Sequence, residues 1–126
     1  MQGGRSMTIL VVDHNPESLC RTQECIRTCS RTDQVTGFAD AAEAMNYIRE
    51  HDVDILFTEV MMPGETGFSL TRVLKSRRPG AYVIFVTDSP DYAMCAWQAH
   101  VNGYLLKPVD VSKIKNELQY AVVDDR

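Results

Sequence analysis

Four polar side chains stand where apolar, strand-like segments of the sequence end. In chain order they are Asp13, Glu59, Thr87 and Lys107. If the four strands run parallel in one sheet, their carboxyl ends meet at one edge, which is where folds of this type bind ligands. Carboxylates gathered at such an edge are typical ligands of hard cations. The strands lack a following Gly-x-Gly-x-x-Gly or Walker loop, so the pattern does not support a nucleotide site.

Strand-like segments alternate with amphipathic helical segments along the whole sequence. The pattern predicts strands at 7–13, 33–39, 54–59, 81–88 and 103–107, and helices at 15–30, 40–51, 66–77, 90–100 and 109–122. Asn15 and Asp40 are predicted N-caps, and Pro16 suits the first helical position. Five such βα units predict a doubly wound α/β fold, in which a parallel sheet is covered by helices on both faces.

Length and composition indicate one globular domain. The chain has 126 residues, 44% of them hydrophobic, and a formal net charge of −4. An acidic balance argues against nucleic acid or anionic lipid as a partner of the domain as a whole, and the apolar segments are too short to span a membrane. We expect residues 1–6 to be a disordered leader or an expression remnant, and residues 7–123 to form the domain.

Four cysteines allow two interpretations. Cys25 and Cys29 are four residues apart and could share a metal on one helix face, but they lack a Cys-x-x-Cys pair or a nearby His at ligand spacing. The preferred interpretation treats these two, together with Cys20 and Cys95, as small buried thiols. Cysteines without a disulfide framework are typical of a reducing cytoplasm, where we expect the protein to be located.

The segments VVDHNP, EVMMPGETG, FVT and YLLKP together resemble the receiver domain of response regulators in two-component signalling. The resemblance covers residues 7–122 and implies the CheY-like (flavodoxin-like) fold with sheet order 2-1-3-4-5 and a cis Lys107–Pro108 bond. The stretch DYAMCAWQAHVNGYLLKPV is also similar to receivers of LytTR-type regulators. The resemblance implies a signalling module, not an enzyme, whose partners are a histidine kinase or an effector domain.

The resemblance also assigns roles at the strand ends. In the family, two adjacent acids after the first strand and an Asp after the third hold Mg²⁺, and the third-strand Asp attacks a phosphohistidine. A backbone carbonyl at the position of Met61 would complete the metal ligands. The Thr and Lys positions, here Thr87 and Lys107, grip the phosphoryl oxygens, and Tyr104 occupies the aromatic switch position.

This sequence departs from the family pattern at two positions, because the second acid is His14 and the phosphoacceptor position is Glu59. The extra methylene of Glu moves the carboxylate by about 1.5 Å, and misplacement by about 1 Å can cost roughly 10²-fold in rate. Imidazole is a poor Mg²⁺ ligand beside hard oxygens. His14 could also be an exposed residue that is tolerated once metal binding has lapsed.

The net charge of the pocket also argues against tight Mg²⁺ binding. Asp13, Glu59 and Lys107 sum to −1, whereas three carboxylates and one lysine would give −2. We therefore predict no required cofactor and only weak Mg²⁺ binding. The longer Glu59 side chain could reach toward Thr87 and Lys107 and partly imitate a phosphoaspartate, with one negative charge where a phosphoryl group carries nearly two.

The favoured hypothesis is a divergent, phosphorylation-independent receiver that acts as a protein-interaction module. One alternative is a receiver that accepts a phosphoryl group from a histidine kinase, with a softer metal at His14. A small enzyme such as a phosphatase is a third, without a nucleophile and base pair to support it. Tyr92, Trp97 and Tyr104 are either core packing or anchors of a partner surface, since aromatic residues are enriched at interface centres. That surface, formed by the fourth helix, fifth strand and fifth helix, could also join two copies.

Overall fold

The protein is described here by a computed structural model covering residues 6–30 and 33–124. Its strands are β1 (Thr8–Val12), β2 (Gln34–Phe38), β3 (Ile55–Thr58), β4 (Tyr82–Thr87) and β5 (Gly103–Leu106). Its helices are α1 (Pro16–Cys29), α2 (Ala41–Glu50), α3 (Gly67–Arg77), α4 (Ala93–Gln98) and α5 (Val111–Asp124). Apart from Ser6, the expected leader lies outside these residues. In the part of the chain that the structure describes, none of the helices has the length and apolar character that a membrane span needs.

The five strands form one parallel sheet in the order β2-β1-β3-β4-β5. Each neighbouring pair is parallel, and the two central strands are in register through Phe57 of β3 and Ile84 of β4. The order reverses between β1 and β3, so the carboxyl ends of these two strands flank the switch point at which doubly wound folds bind ligands. The fold and sheet order predicted from the sequence are confirmed.

Alternate side chains of each central strand enter different layers of the core. In β3, Leu56 packs on the side of α2, α3 and α4, while Ile55 and Phe57 pack on the side of α1 and α5. Both layers are fully buried around this strand, since Leu56 and Phe57 have no exposed surface. A parallel strand covered on both faces must be apolar on both faces, which is why Ile55, Leu56 and Phe57 form a continuous apolar run.

Side-chain caps fix where three of the helices begin. Asn15 accepts hydrogen bonds from the backbone N–H groups at the start of α1, and Asp40 does so for α2. Thr66 and Ser69 form a reciprocal capping box at the start of α3. Each cap satisfies N–H groups that lack partners within the helix. The two N-caps predicted from the sequence are confirmed.

Helix α4 is shorter than predicted. The sequence suggested a helix over 90–100, but it spans Ala93–Gln98 and starts without a side-chain cap hydrogen bond. His100 has a φ of 64°, and a left-handed residue of this kind ends a helix. Only Ala96 of this helix is fully buried, so little packing energy holds additional turns.

The cysteines are all free thiols, and the prediction that they are buried is correct for only part of the set. Cys25 is buried and Cys29 half-buried beneath α5, and burial raises the pKa of both thiols. Cys20 and Cys95 are exposed. In α1 the buried stripe includes Cys25 and Ile26, and Cys20 lies off that stripe. Residue type alone therefore overestimated the burial of these two cysteines.

Gly67 allows the start of α3 to approach the end of β3 closely. Its N–H donates to the Val60 carbonyl at 2.7 Å. A Cβ atom at this position would lie 2.7 Å from the Glu59 carbonyl oxygen and 3.1 Å from the Phe85 ring. Backbone and a buried ring cannot move cheaply, so this close approach of α3 to Glu59 requires a residue without a side chain at position 67.

We predict that Gly67→Ala destabilises the protein by about 1–3 kcal/mol, because the added methyl overpacks a closed site. Gly80→Ala is the matched control, since a Cβ there meets nothing within 4 Å. That control should be neutral or stabilising, by about 0.4–1 kcal/mol at most. Urea unfolding followed by circular dichroism measures both. Equal stability of the two variants would contradict the close approach at Gly67.

Candidate functional site

Three loops at the carboxyl edge of the sheet bring Asp13, Glu59 and Lys107 together. The Lys107 Nζ atom lies 2.8 Å from Asp13 Oδ2 and 2.8 Å from Glu59 Oε1. All three side chains are largely buried, with exposed fractions of 10% for Lys107, 4% for Asp13 and 9% for Glu59. The lysine thus bridges the two carboxylates.

Backbone donors occupy the other two carboxylate oxygens. The Asn15 N–H donates to Asp13 Oδ1 at 3.0 Å, and the Val60 N–H donates to Glu59 Oε2 at 2.7 Å. Each of the four oxygens of the two acids thus accepts a hydrogen bond from the chain itself. Sequence reasoning missed these two donors, because a backbone N–H carries no signal in the residue type.

The sheet sets the spacing of these groups. The Glu59 N–H donates to the Val12 carbonyl at 2.9 Å, which ties the end of β3 to the end of β1. The Lys107 N–H donates to the Thr87 carbonyl at 2.9 Å, which ties the end of β5 to β4. The Lys107–Pro108 peptide bond is cis, as predicted.

Opposing effects act on the Lys107 ammonium. Burial would lower its pKa, but the hydrogen bonds and charges of Asp13 and Glu59 outweigh burial, so its pKa is raised above 10.5. A lysine with a raised pKa remains charged at neutral pH. The Lys107 side of the bridge is therefore a cation at neutral pH.

Thr87 and Tyr104 hold the loop between β4 and α4. The Tyr104 hydroxyl donates to the Ser89 carbonyl at 2.6 Å and accepts from the Tyr92 N–H at 3.3 Å. The Thr87 hydroxyl accepts from the Ser89 N–H at 3.4 Å. Burial raises the pKa of Tyr104, and its ring lies 6.3 Å from that of Phe85. Of the two groups that Glu59 was expected to reach, Lys107 is in contact, whereas Thr87 is engaged with Ser89.

The aromatic residues proposed as interface anchors differ in exposure. Tyr92 and Tyr104 are half-buried and pack against the core. Trp97 is 61% exposed, and Met94, one helical turn away, is 72% exposed. Leu106 of β5 is also exposed. The core interpretation thus holds for the two tyrosines, and Trp97 is free to contact another molecule.

Comparison with known proteins identifies the family of this chain. Residues 9–119 match the response regulator receiver domain family. The chain belongs to this family. Receiver domains are signalling modules that interact with histidine kinases and effector domains, and the carboxyl-edge pocket described above lies where the receiver resemblance places its phosphoacceptor position.

Full-length relatives are about twice as long as this receiver. It is 34% identical over 118 residues to the sensory transduction protein LytT of Enterococcus faecalis, covering 91% of this chain and 48% of LytT. It is 28% identical over 111 residues to the transcriptional regulatory protein BtsR of Escherichia coli K12, covering 87% of this chain and 46% of BtsR. The chain therefore spans about half the length of the curated relatives that it matches.

A solved receiver has the same fold. The receiver domain of sensor histidine kinase PA1611 from Pseudomonas aeruginosa superposes with a TM-score of 0.80, at 23% identity, covering 94% of this chain and 98% of that one. That structure has a magnesium ion coordinated in its active-site cleft. At this identity the likeness establishes the fold alone.

The two acids of the pocket are already paired with a cation of the chain itself. Asp13 and Glu59 already share the Lys107 ammonium. His14, which stands where the receiver resemblance expects the second acid, is exposed. Within residues 6–30 and 33–124, no three acidic, His or Cys side chains converge closely enough to hold one metal ion. The carboxylates face a built-in cation instead.

We predict that Lys107→Met destabilises the protein by about 3 kcal/mol at pH 7, because the substitution leaves two buried carboxylates without their counter-ion. Lys113→Met is the control, since Lys113 is exposed and its Nζ lies 3.5 Å from the Leu106 carbonyl oxygen. That change should stay within about 0.5 kcal/mol of the unaltered protein. Chemical unfolding of the three proteins tests this.

The difference in stability between the unaltered protein and Lys107→Met should depend on pH. Because the folded-state pKa of Lys107 is raised, its stabilisation is complete below the unfolded-state value, near 10.4, and is lost as the pH rises through the folded value. The stability gap between the unaltered protein and Lys107→Met should thus be constant from about pH 7 to 10 and narrow above that range. A gap that vanishes below pH 9 would contradict the bridge.

Proposed function

We propose that this receiver works without phosphorylation at residue 59 and acts as a regulatory protein-interaction module in two-component signalling. The observation that carries the proposal is the 2.8 Å contact between Glu59 Oε1 and Lys107 Nζ. The side chain at the phosphoacceptor position is already bound to the lysine that would grip a transferred phosphoryl group.

The state of the Glu59 carboxylate supports this proposal. Phosphoryl transfer needs an oxygen of the acceptor in line with the phosphorus atom, with cations to neutralise the developing charge. One Glu59 oxygen is bound to Lys107 and the other to the Val60 N–H. Attack would use an oxygen that already accepts a hydrogen bond, which makes it a weaker nucleophile. The longer side chain also places the carboxylate away from the position that an Asp would occupy.

Glu59 would supply a lasting but partial imitation of a phosphorylated receiver. It brings one negative charge to Lys107, about half of what a phosphoryl group carries. The Tyr104 hydroxyl is meanwhile held by the backbone of the β4–α4 loop at Ser89 and Tyr92. We propose that these contacts keep the loop in a single arrangement and that output is set by partner binding, not by a phosphodonor.

The face formed by α4, β5 and α5 is the proposed partner surface. Its elements carry exposed large apolar side chains, namely Met94 and Trp97 of α4, Leu106 of β5, and Val111 and Tyr120 of α5. An exposed Trp beside an exposed Met is typical of an interface centre. We propose that this face binds an effector domain or a second copy of the chain, as in a regulator of the LytTR type. This receiver, with its net charge of −4, is not proposed to bind nucleic acid itself.

Magnesium is proposed to bind only weakly. The receiver of PA1611 carries the ion in its cleft, but here the second acid is replaced by the exposed His14. Asp13, Glu59 and the Met61 backbone carbonyl are the groups that could hold the ion. A bound ion would neutralise the charge of these groups. The Lys107 ammonium neutralises part of that charge without the ion.

We predict that Glu59→Asp alone does not restore phosphorylation, whereas Glu59→Asp combined with His14→Asp does. The single change shortens the acceptor but leaves the pocket without its second acid. The double change rebuilds three carboxylates beside Lys107, so the two effects should be strongly non-additive. Intact mass after incubation with acetyl phosphate and Mg²⁺ measures the added phosphoryl group in the unaltered protein, both single variants and the double variant.

The outcomes of this assay separate the two functional hypotheses. Modification of the unaltered protein as readily as of the double variant would overturn the proposal and favour a phosphoacceptor. Modification of His14→Asp alone would show that Glu59 itself is competent. A double variant that stays inert would show that the changes at residues 14 and 59 are not what closes the pocket.

We predict that Trp97→Glu and Met94→Glu weaken association through the α4–β5–α5 face at least about tenfold while changing monomer stability by less than about 0.5 kcal/mol. Both side chains are largely exposed, so the monomer loses little packing. Asn46→Glu on α2 is an exposed control on another helix. Sedimentation velocity over a concentration series measures self-association. A protein that is monomeric at every concentration would rule out the second copy as the partner.

A further inference from the structure

Two thiols lie four residues apart on the side of α1 that packs against α5, away from the carboxyl-edge pocket. Cys25 is buried and belongs to the apolar layer that contains Ile114 and Leu118 of α5. Cys29 is half-buried, and its thiol donates to the Val111 carbonyl at 3.6 Å. Burial raises the pKa of Cys25, and the neighbouring Cys29 adds to the rise, which shows that the two thiols act on each other. They therefore form a pair within the α1–α5 interface.

The spacing of the pair distinguishes two kinds of thiol chemistry. On a helix, Cβ atoms four residues apart are about 5–6 Å from each other, whereas a disulfide needs them about 3.5–4.5 Å apart. Because α1 is helical through Cys29, a disulfide would distort its last turn. An ion held between two thiolates at roughly 2.3 Å from each sulfur needs the sulfurs only about 4.6 Å apart. The pair is therefore spaced for a bridging ion.

The surroundings of the pair determine which ion fits. In the part of the chain that the structure describes, no three His, Cys, Asp or Glu side chains are grouped as metal ligands. Zn²⁺ takes four protein ligands in structural sites, and hard cations require oxygen ligands, so neither class suits two sulfurs. Thiolates select soft ions such as Cu(I), which forms two-coordinate complexes. Cys29 also lines an open groove of about 500 Å³, through which an ion can enter from solvent.

We propose that Cys25 and Cys29 form a two-thiolate site for one Cu(I) ion. Two thiols and one Cu(I) give a bis-thiolate complex of charge −1, two protons pass to solvent, and no electron is transferred. A Cys29 thiolate can no longer donate to the Val111 carbonyl, so occupancy of the site alters a contact between α1 and α5. The inference does not use the state of Glu59, and either it or the proposed function can fail without the other.

The first test titrates the reduced protein with Cu(I), without oxygen, against a chromogenic chelator. We expect the unaltered protein to bind one ion per chain, and Cys29→Ser to bind it at least about 100-fold more weakly, because two thiols on one helix act as a chelate. Cys20→Ser and Cys95→Ser are matched controls, since both thiols are exposed and lie outside the pair. They should bind as tightly as the unaltered protein. Equal affinity of Cys29→Ser, or a comparable loss in either control, would overturn the inference.

The number of protons released provides a second readout. Burial raises the pKa of both thiols, so both are protonated at neutral pH and binding releases two protons. The affinity should fall about 100-fold for each unit of acidification from about pH 8 to pH 6, whereas a site with one thiolate would lose about tenfold. Four charged groups, two of each sign, act on the pair: Arg21, Glu24 and Asp110 on Cys25, and Lys115 on Cys29.

The two readouts decide the inference even if a variant folds poorly. Circular dichroism checks the fold of Cys29→Ser before titration, and Cys29→Ala takes its place if the serine variant is unfolded. If neither folds, the proton count in the unaltered protein decides by itself. One ion bound with a loss of about 100-fold per pH unit supports the two-thiolate site. A loss of about tenfold per unit, or no binding by the unaltered protein, would refute it.

Discussion

The Lys107 ammonium between Asp13 and Glu59 is the interaction on which the carboxyl edge of this receiver depends. Two buried carboxylates repel one another, and either one left unpaired would cost several kcal/mol. A single lysine 2.8 Å from both converts that repulsion into a bridge across three loops. Because a bridge of this kind is stable only in its complete form, the loops that carry the three residues are fixed relative to one another.

The fold makes this bridge possible with few local specializations. A parallel sheet in the order β2-β1-β3-β4-β5 places the ends of β1 and β3 side by side, and a hydrogen bond from Glu59 N–H to the Val12 carbonyl fixes their spacing. Gly67 lets α3 begin directly against the backbone of Glu59. The two apolar layers on either side of the sheet hold the strands rigid. The packing of the core therefore determines the geometry of the polar edge.

By the resemblance to receivers, the site residues of this chain divide into a group that matches the family pattern and a group that departs from it. Thr87, Tyr104 and Lys107 occupy the grip and switch positions, and Tyr104 is joined to the β4–α4 loop through Ser89. His14 and Glu59 replace the residues that would bind the metal and accept the phosphoryl group. Under the proposed function, this division describes a module whose surface still transmits a state without phosphorylation at residue 59.

Much of the fold is encoded in short-range patterns that can be read from the sequence. The strand and helix order follows from apolar periodicity, and the caps at Asn15 and Asp40 follow from residue type, because each depends only on neighbours within a turn. The resemblance to receivers added the sheet order and the cis bond before Pro108. Only the tertiary structure showed that one ammonium contacts both acids, across 48 residues in the case of Glu59. It also showed that backbone N–H groups donate to the remaining carboxylate oxygens, and that α4 ends at Gln98. These features depend on which groups are in contact in the folded chain, and local sequence patterns do not determine contacts between distant residues.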